Sequence, residues 1–163
     1  GTLGFMPDTT PEAPLCRTRT ADGLVLDVMP LDASILGFSN PWYTLAIETA
    51  QDLTIADGLT IRAVHAPAFL ATKWQAYKAR GAEDPMTSHD LEDIVSIVAG
   101  RPSIVSEVRQ LPPDARTFVV TETVHFLARE DAAELIAANL TEARAIFGLL
   151  ASVESRFDEL AGV

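Results

Sequence analysis

Cysteine is nearly absent from this chain. Cys16 stands alone, so no intrachain disulfide can form and a reducing compartment suits the sequence best. Long apolar runs are missing as well: none approaches the roughly 18 residues of a membrane span, and no basic–apolar–small leader opens the chain. The expected setting is cytoplasmic, with no membrane partner. Basic residues are scarce, with 12 Lys and Arg against 23 Asp and Glu and a formal net charge of −11. That balance disfavours nonspecific attraction to nucleic acid, although a local basic site can still hold a nucleotide through a divalent metal. There is no Walker loop, no G-x-G-x-x-G and no G-x-S-x-G. His65, His89 and His125 lie too far apart for a zinc motif and read mostly as helix-end residues. Aromatic residues make up 7% and read as core rather than as a base-stacking platform.

What is present suffices for one sizeable core. The chain has 163 residues, 48% of them hydrophobic, with room for a small appended subdomain. It opens GTLGFMPD without an initiating Met, which reads as a cloning remnant or the start of a fragment. After a Pro/Thr-rich loop and a turn at Ala21-Asp22-Gly23, Leu24 to Met29 alternates like a strand with both faces largely apolar. The expectation is an interior or semi-buried strand, with Asp27 as its exception. Strands disfavour Asp, and a buried carboxylate needs a metal ion, a Lys or backbone donors; otherwise Asp27 lies on the wet face of a one-sided sheet. Trp42 to Gln51 reads as a short helix. Thr54 to Asp57 leads to a turn at Asp57-Gly58, and Leu59 to Val64 alternates like a second strand.

The stretch that organises the rest is Ala66 to Gly81, APAFLATKWQAYKARG, a helix with Pro67 in its first turn and Gly81 at its end. With Phe69 at zero on a helical wheel, Ala76, Tyr77, Leu70 and Trp74 span an apolar arc from about −20° to about 140°, and Lys73 falls inside it at about 40°. Desolvating an unpaired ammonium costs several kcal/mol. So either the aliphatic stem packs and the amine snorkels to water or a structural carboxylate, or the helix lines a cleft where the amine meets an anion. A second helix opens at Thr87, with Thr87 and Asp90 fitting a capping box before Leu91, Ile94, Val95 and Val98. Asp90 then either caps or sits at the rim of that apolar face. Ser103 to Leu111 forms a third helix. Beyond Pro112-Pro113 the pattern is helical, with Ala133, Ile136, Leu140, Ala143 and Phe147 at helix-like spacing. The expected fold is α+β: a small strand-containing N-terminal half followed by a mainly helical C-terminal half.

Three segments in order, LVLDVMPLDASILGFSNPWY, IRAVHAPAFLATKWQAYKARG and SHDLEDIVSIVAG, resemble the AbiEii-type nucleotidyltransferases of the DNA polymerase β superfamily. The resemblance covers about Leu24 to Val108. It implies that residues 1–111 form a partial nucleotidyltransferase-like domain, with the strands a remnant of its sheet, and 112–163 a helical C-terminal extension. It assigns Asp27 to the metal side, Lys73 to the nucleotide phosphates, and Asp90, with Asp93 second, to completing the catalytic site. Mg²⁺ and a nucleoside triphosphate are the cofactor and substrate it implies. Paired metal ions would activate the attacking oxygen and stabilise the departing one, while a fixed lysine adds charge on the phosphates.

The sequence departs from that family in one respect. The Gly-Ser turn and D-x-D pair that should precede the Asp27 strand have no counterpart here. The chain is therefore expected to be a truncated nucleotidyltransferase or a degenerate relative, and inactive as a transferase by itself. The alternative is a non-catalytic nucleotide- or anion-binding module, or a self-associating interaction protein. An apolar edge left by lost strands favours a homodimer. Because many AbiEii-type proteins are toxins of two-component systems, the resemblance also implies an antitoxin-type protein partner.

Overall fold

The computed structural model describes residues 4–140 and 149–163, and its architecture is α+β, with small antiparallel sheets first and helices after. The chain divides into two compact units, Gly1–Asn40 and Pro41–Val163. The border expected near Pro112 falls inside the second unit. Pro112 precedes a helix whose Val119 and Phe126 belong to the same core as Trp74.

In the first unit, β1 (Met6–Pro7), β2 (Arg17–Arg19) and β3 (Val25–Asp27) form an antiparallel sheet in that order, followed by α1 (Ala33–Leu36). Asp32 caps α1 by accepting a hydrogen bond from the Ser34 amide at 2.8 Å. The expectation of an interior strand at Leu24–Met29 does not hold: β3 is an edge strand, and Leu24 to Met29 are all exposed. Apolar alternation on both faces marks β-propensity, but it cannot say whether a second layer covers the strand.

The second unit starts with α2 (Tyr43–Glu48) and a hairpin of β4 (Gln51–Ala56) and β5 (Leu59–Ala63). Gly58 takes φ 75 in its turn, a left-handed conformation that favours glycine. Leu53 pairs with Ile61, and Asp52 with Arg62, so the ribbon has an apolar and a polar face. The helices follow as α3 (Ala66–Ala76), α4 (His89–Gly100), α5 (Ile104–Val108), α6 (Pro113–Leu127), α7 (Ala132–Ala138) and α8 (Leu149–Ala161). Ala143 and Phe147, expected on the last apolar face, lie outside the described residues.

Helix α3 is the hub. Ala68, Leu70, Ala71 and Trp74 are buried, as the helix packs against α2, α4, α5 and α6. Trp74, Tyr77, Phe126 and Phe157 form a chain of rings with centroids 5.6 to 5.8 Å apart along Tyr77–Trp74–Phe126–Phe157, within the range of favourable aromatic pairs. Arg156 of α8 donates from Nη1 to the carbonyls of Val98 and Ala99 at 2.8 and 2.9 Å, satisfying acceptors at the open end of α4. Between α3 and the loop to α4, residues Tyr77–Gly81 form a π-helical turn. Among the described residues, no helix is long and apolar enough to cross a membrane.

Candidate functional site

Helices α3 and α4 meet along a seam that the sequence builds from two strips. On α3, Phe69 and Lys73 are one turn apart and both are half-buried, while the residues around them are closed off. The arc centred on Phe69 is thus the least covered side of the helix, which is how an amine can sit within it. On α4, Asp90, Asp93, Ile97 and Arg101 recur every three or four residues and share one strip.

Lys73 and Asp90, expected at one site, are brought together. Lys73 Nζ donates to Asp90 Oδ1 at 3.2 Å and pairs with Asp93 Oδ2 at 2.5 Å. Arg80, which the sequence reading passed over, completes the cluster. Its Nε donates to Asp90 Oδ2 at 2.8 Å and its Nη2 to Asp90 Oδ1 at 3.1 Å. The Asp90 side chain is 5% exposed, against 67% for Arg80 and 43% for Asp93. A buried carboxylate therefore anchors two cations that reach towards solvent. Lys73 and Arg80 are seven residues apart, a spacing that would place both near one strip of an uninterrupted α-helix. That spacing was the available signal.

The electrostatics follow from this geometry. Burial works against the Asp90 carboxylate, but the hydrogen bonds and charges of Arg80 and Lys73 outweigh it and hold its pKa below the ordinary value. Burial likewise works against the Lys73 ammonium; Asp93 and Asp90 overcome it and raise the pKa. The formal charges of Lys73, Arg80, Asp90 and Asp93 sum to zero.

Asp90 does not cap α4 as the Thr87 capping box implied. Ser88 is the N-cap, accepting from the Leu91 amide at 3.3 Å, and Thr87 Oγ1 instead donates to Asp84 at 2.7 Å. With Ser88 as the cap, Asp90 is the second residue of the helix, where the helix dipole also favours a negative charge.

Asp27 belongs to the first unit, paired across the sheet with Arg17. Arg17 Nε and Nη2 donate to Oδ1 and Oδ2, each at 2.8 Å. This bidentate pair accounts for Asp27 within its own unit and lowers its pKa through the Arg17 hydrogen bond. Asp27 is exposed, as are its neighbours on the opposite face of β3, so the sheet is not one-sided here. With both oxygens engaged, the carboxylate fits a metal only if Arg17 lets go.

Two cavities adjoin the seam. One of about 300 Å³ is lined by Arg80, Gly81, Ser88 and Asp90 among others. The second, of about 400 Å³, lies at the base of the hairpin against Phe69, Ile97 and Arg101. Lys73 Nζ stands 5.3 Å from the centroid of the Phe69 ring, so the ionic cluster and the second cavity share a wall.

No family model, no curated protein and no solved structure matches this chain.

The fit to Mg²⁺ can be judged from the donors. Among the described residues, no three His, Cys, Asp or Glu side chains converge as a metal cage. Asp90 is saturated by its two cations, whereas Asp93 is half-exposed and engages Lys73 through Oδ2 alone. One carboxylate beside a phosphate chain is a common way for Mg²⁺ to be held, since the ion keeps several waters and takes its remaining ligands from phosphates. Asp93 fits that role, and Asp27 does not in its observed pairing.

Proposed function

We propose that this chain is a nucleotidyltransferase-like protein that binds a nucleoside triphosphate with Mg²⁺ at the α3–α4 seam, without turning it over by itself. The observation that supports it is the pair of cations, Lys73 and Arg80, fixed on one buried carboxylate, Asp90, which with Arg80 lines a cavity. Cations held in place by a structural acid meet a polyphosphate with little reorganisation. In this reading Lys73 and Arg80 contact phosphate oxygens, Asp93 holds the metal, and Asp90 is a positioning residue for the two cations. Asp93 would hold Mg²⁺, which would supply neutralising charge beside the phosphates, and Lys73 would keep Asp90 as its anchor. Transfer to an acceptor needs further carboxylates at the reacting phosphorus, and the sequence has no D-x-D pair to supply them.

The test is a thermal melt with each nucleoside triphosphate plus Mg²⁺, beside the same melt for Lys73→Ala. Ligand at 100 times its dissociation constant stabilises by about 2.7 kcal/mol, a shift well within reach of a melt. A shift in the wild type that disappears in the variant supports the reading. Absence of a shift with every nucleotide rejects it.

A second reading is favoured by a separate observation: the apolar face of the β4–β5 hairpin, with Leu53, Ile55, Leu59 and Ile61, is exposed. A self-associating interaction module would use that face, with the four charges of the seam acting as an ionic clamp between α3 and α4.

A further inference from the structure

The cavity at the hairpin base is not explained by the ionic cluster, yet it shares Phe69 with it. Its walls are Leu53, Ala63, Val64, Ala66, Phe69 and Ile97, with polar groups from Gln51, Asp52, His65 and Arg101. Its volume of about 400 Å³ lies in the range of small-molecule sites, which are mostly apolar with a few polar groups that fix orientation. The position along the seam is specific. Reading α3 backwards from its C-terminal end, Arg80 and Lys73 hold the carboxylates, and Phe69 comes next. Reading α4 forwards, Asp90 and Asp93 are followed by Ile97 and then Arg101. The charged end and the apolar end of the seam are therefore adjacent, with Lys73 lying 5.3 Å from the Phe69 centroid as the junction.

We propose that this cavity receives the nucleobase of the nucleotide whose phosphates Lys73 and Arg80 bind, with the base against the Phe69 ring and Ile97. This rests on the phosphate-site reading above. A ligand with an anionic chain at one end and a flat, weakly polar ring at the other matches the order of groups along the seam. An aromatic wall provides stacking area that tolerates any base. Gln51, Asp52 and Arg101 supply donors and acceptors at the rim for the edges of the ring. A free polyphosphate would use the charged end alone.

The experiment is calorimetric titration, with Mg²⁺ present, of inorganic tripolyphosphate and of each nucleoside triphosphate. It compares the wild type with Lys73→Ala and Val64→Trp. Val64 is exposed at the cavity wall, so a tryptophan there fills the space without removing packing; a melt of the free variant verifies that it folds. The expected result has three parts. At least one nucleoside triphosphate binds the wild type tenfold or more tighter than tripolyphosphate. Val64→Trp erases that difference while leaving tripolyphosphate affinity within twofold. Lys73→Ala weakens both ligands. Equal affinities in the wild type, or a difference that survives Val64→Trp, would overturn the base site while leaving the phosphate site standing. Failure of every ligand to bind would remove both.

Discussion

At the scale of single residues, Asp90 concentrates most of the consequences. It is a carboxylate 5% exposed that accepts from Lys73 and from both Nε and Nη2 of Arg80. Removing its charge leaves Arg80 without its carboxylate partner and Lys73 with Asp93 alone. Asp90→Asn should lower unfolding free energy by about 2 kcal/mol, below the roughly 3–5 kcal/mol for breaking a fully buried pair, because both partners retain access to water. The pH dependence has a definite sign. The folded-state pKa is depressed, so the contribution is fully present above the ordinary carboxylate pKa and is lost as pH falls through the folded value. Wild-type stability should drop below about pH 4 more steeply than that of Asp90→Asn. Denaturant unfolding at a series of pH values checks this, and parallel curves would show that Asp90 is not the anchor. The anomalies of Lys73 and Asp90 were legible in the sequence because an ammonium in an apolar arc demands a partner. Asp27 was not, since its partner Arg17 is set by strand register and not by spacing along one element.

At the scale of elements, the turn between α3 and α4 decides whether the seam exists. Lys78 and Arg80 project from the π-helical stretch Tyr77–Gly81, Lys78 to Glu122 of α6 at 2.5 Å and Arg80 to Asp90 of α4. A π turn adds a residue to the helical register and re-aims the side chains that follow. Helical periodicity extended straight to Gly81 therefore predicted the helix but not the division of labour within its last turn. The hairpin shows the same limit. Thr49-Ala50-Gln51 contains no helix breaker, so the start of β4 at Gln51 was hidden inside an expected helix. Gly81 permits the close approach at the turn. A Cβ there would lie 2.8 Å from Tyr77 Cδ2 and closer still to Ser88 Oγ. Tyr77 is packed against Trp74 and Phe126 and cannot yield, while Ser88 is the cap of α4. Gly81→Ala should cost about 1–3 kcal/mol, as overpacking does. It should also weaken triphosphate binding by displacing Arg80. The melting temperature and the titration are separate readouts, and an unchanged melt would mean the turn is not close-packed.

At the scale of the whole chain, the two-stranded sheet of the second unit is the feature that calls for a partner. A lone hairpin is marginal in water, and this one leaves Leu53, Ile55, Leu59 and Ile61 each 42–53% exposed. Its apolar face bears no charge, because Asp52 and Arg62 share the opposite face. Two copies with a formal net charge of −11 each could therefore meet there without placing like charges in contact. Such a patch offers on the order of 400 Å² per copy, or about 800 Å² for a pair, short of the about 1,200 Å² at which stable interfaces begin. Any dimer should accordingly be weak, with a dissociation constant of about 10 μM or above, and more prominent at high salt as the net charge is screened. Sedimentation velocity across a hundredfold range of concentration is the measurement. The wild type should move from monomer towards dimer, and the double variant Leu53→Thr, Ile61→Thr should remain monomeric with an unchanged melt when dilute. A wild type that is monomeric throughout would remove self-association through the hairpin. A double variant that still dimerises would move the interface to another face. Neither result touches the proposed phosphate site, because Lys73, Arg80, Asp90 and Asp93 lie off the ribbon, whereas Leu53 is shared with the cavity at the hairpin base.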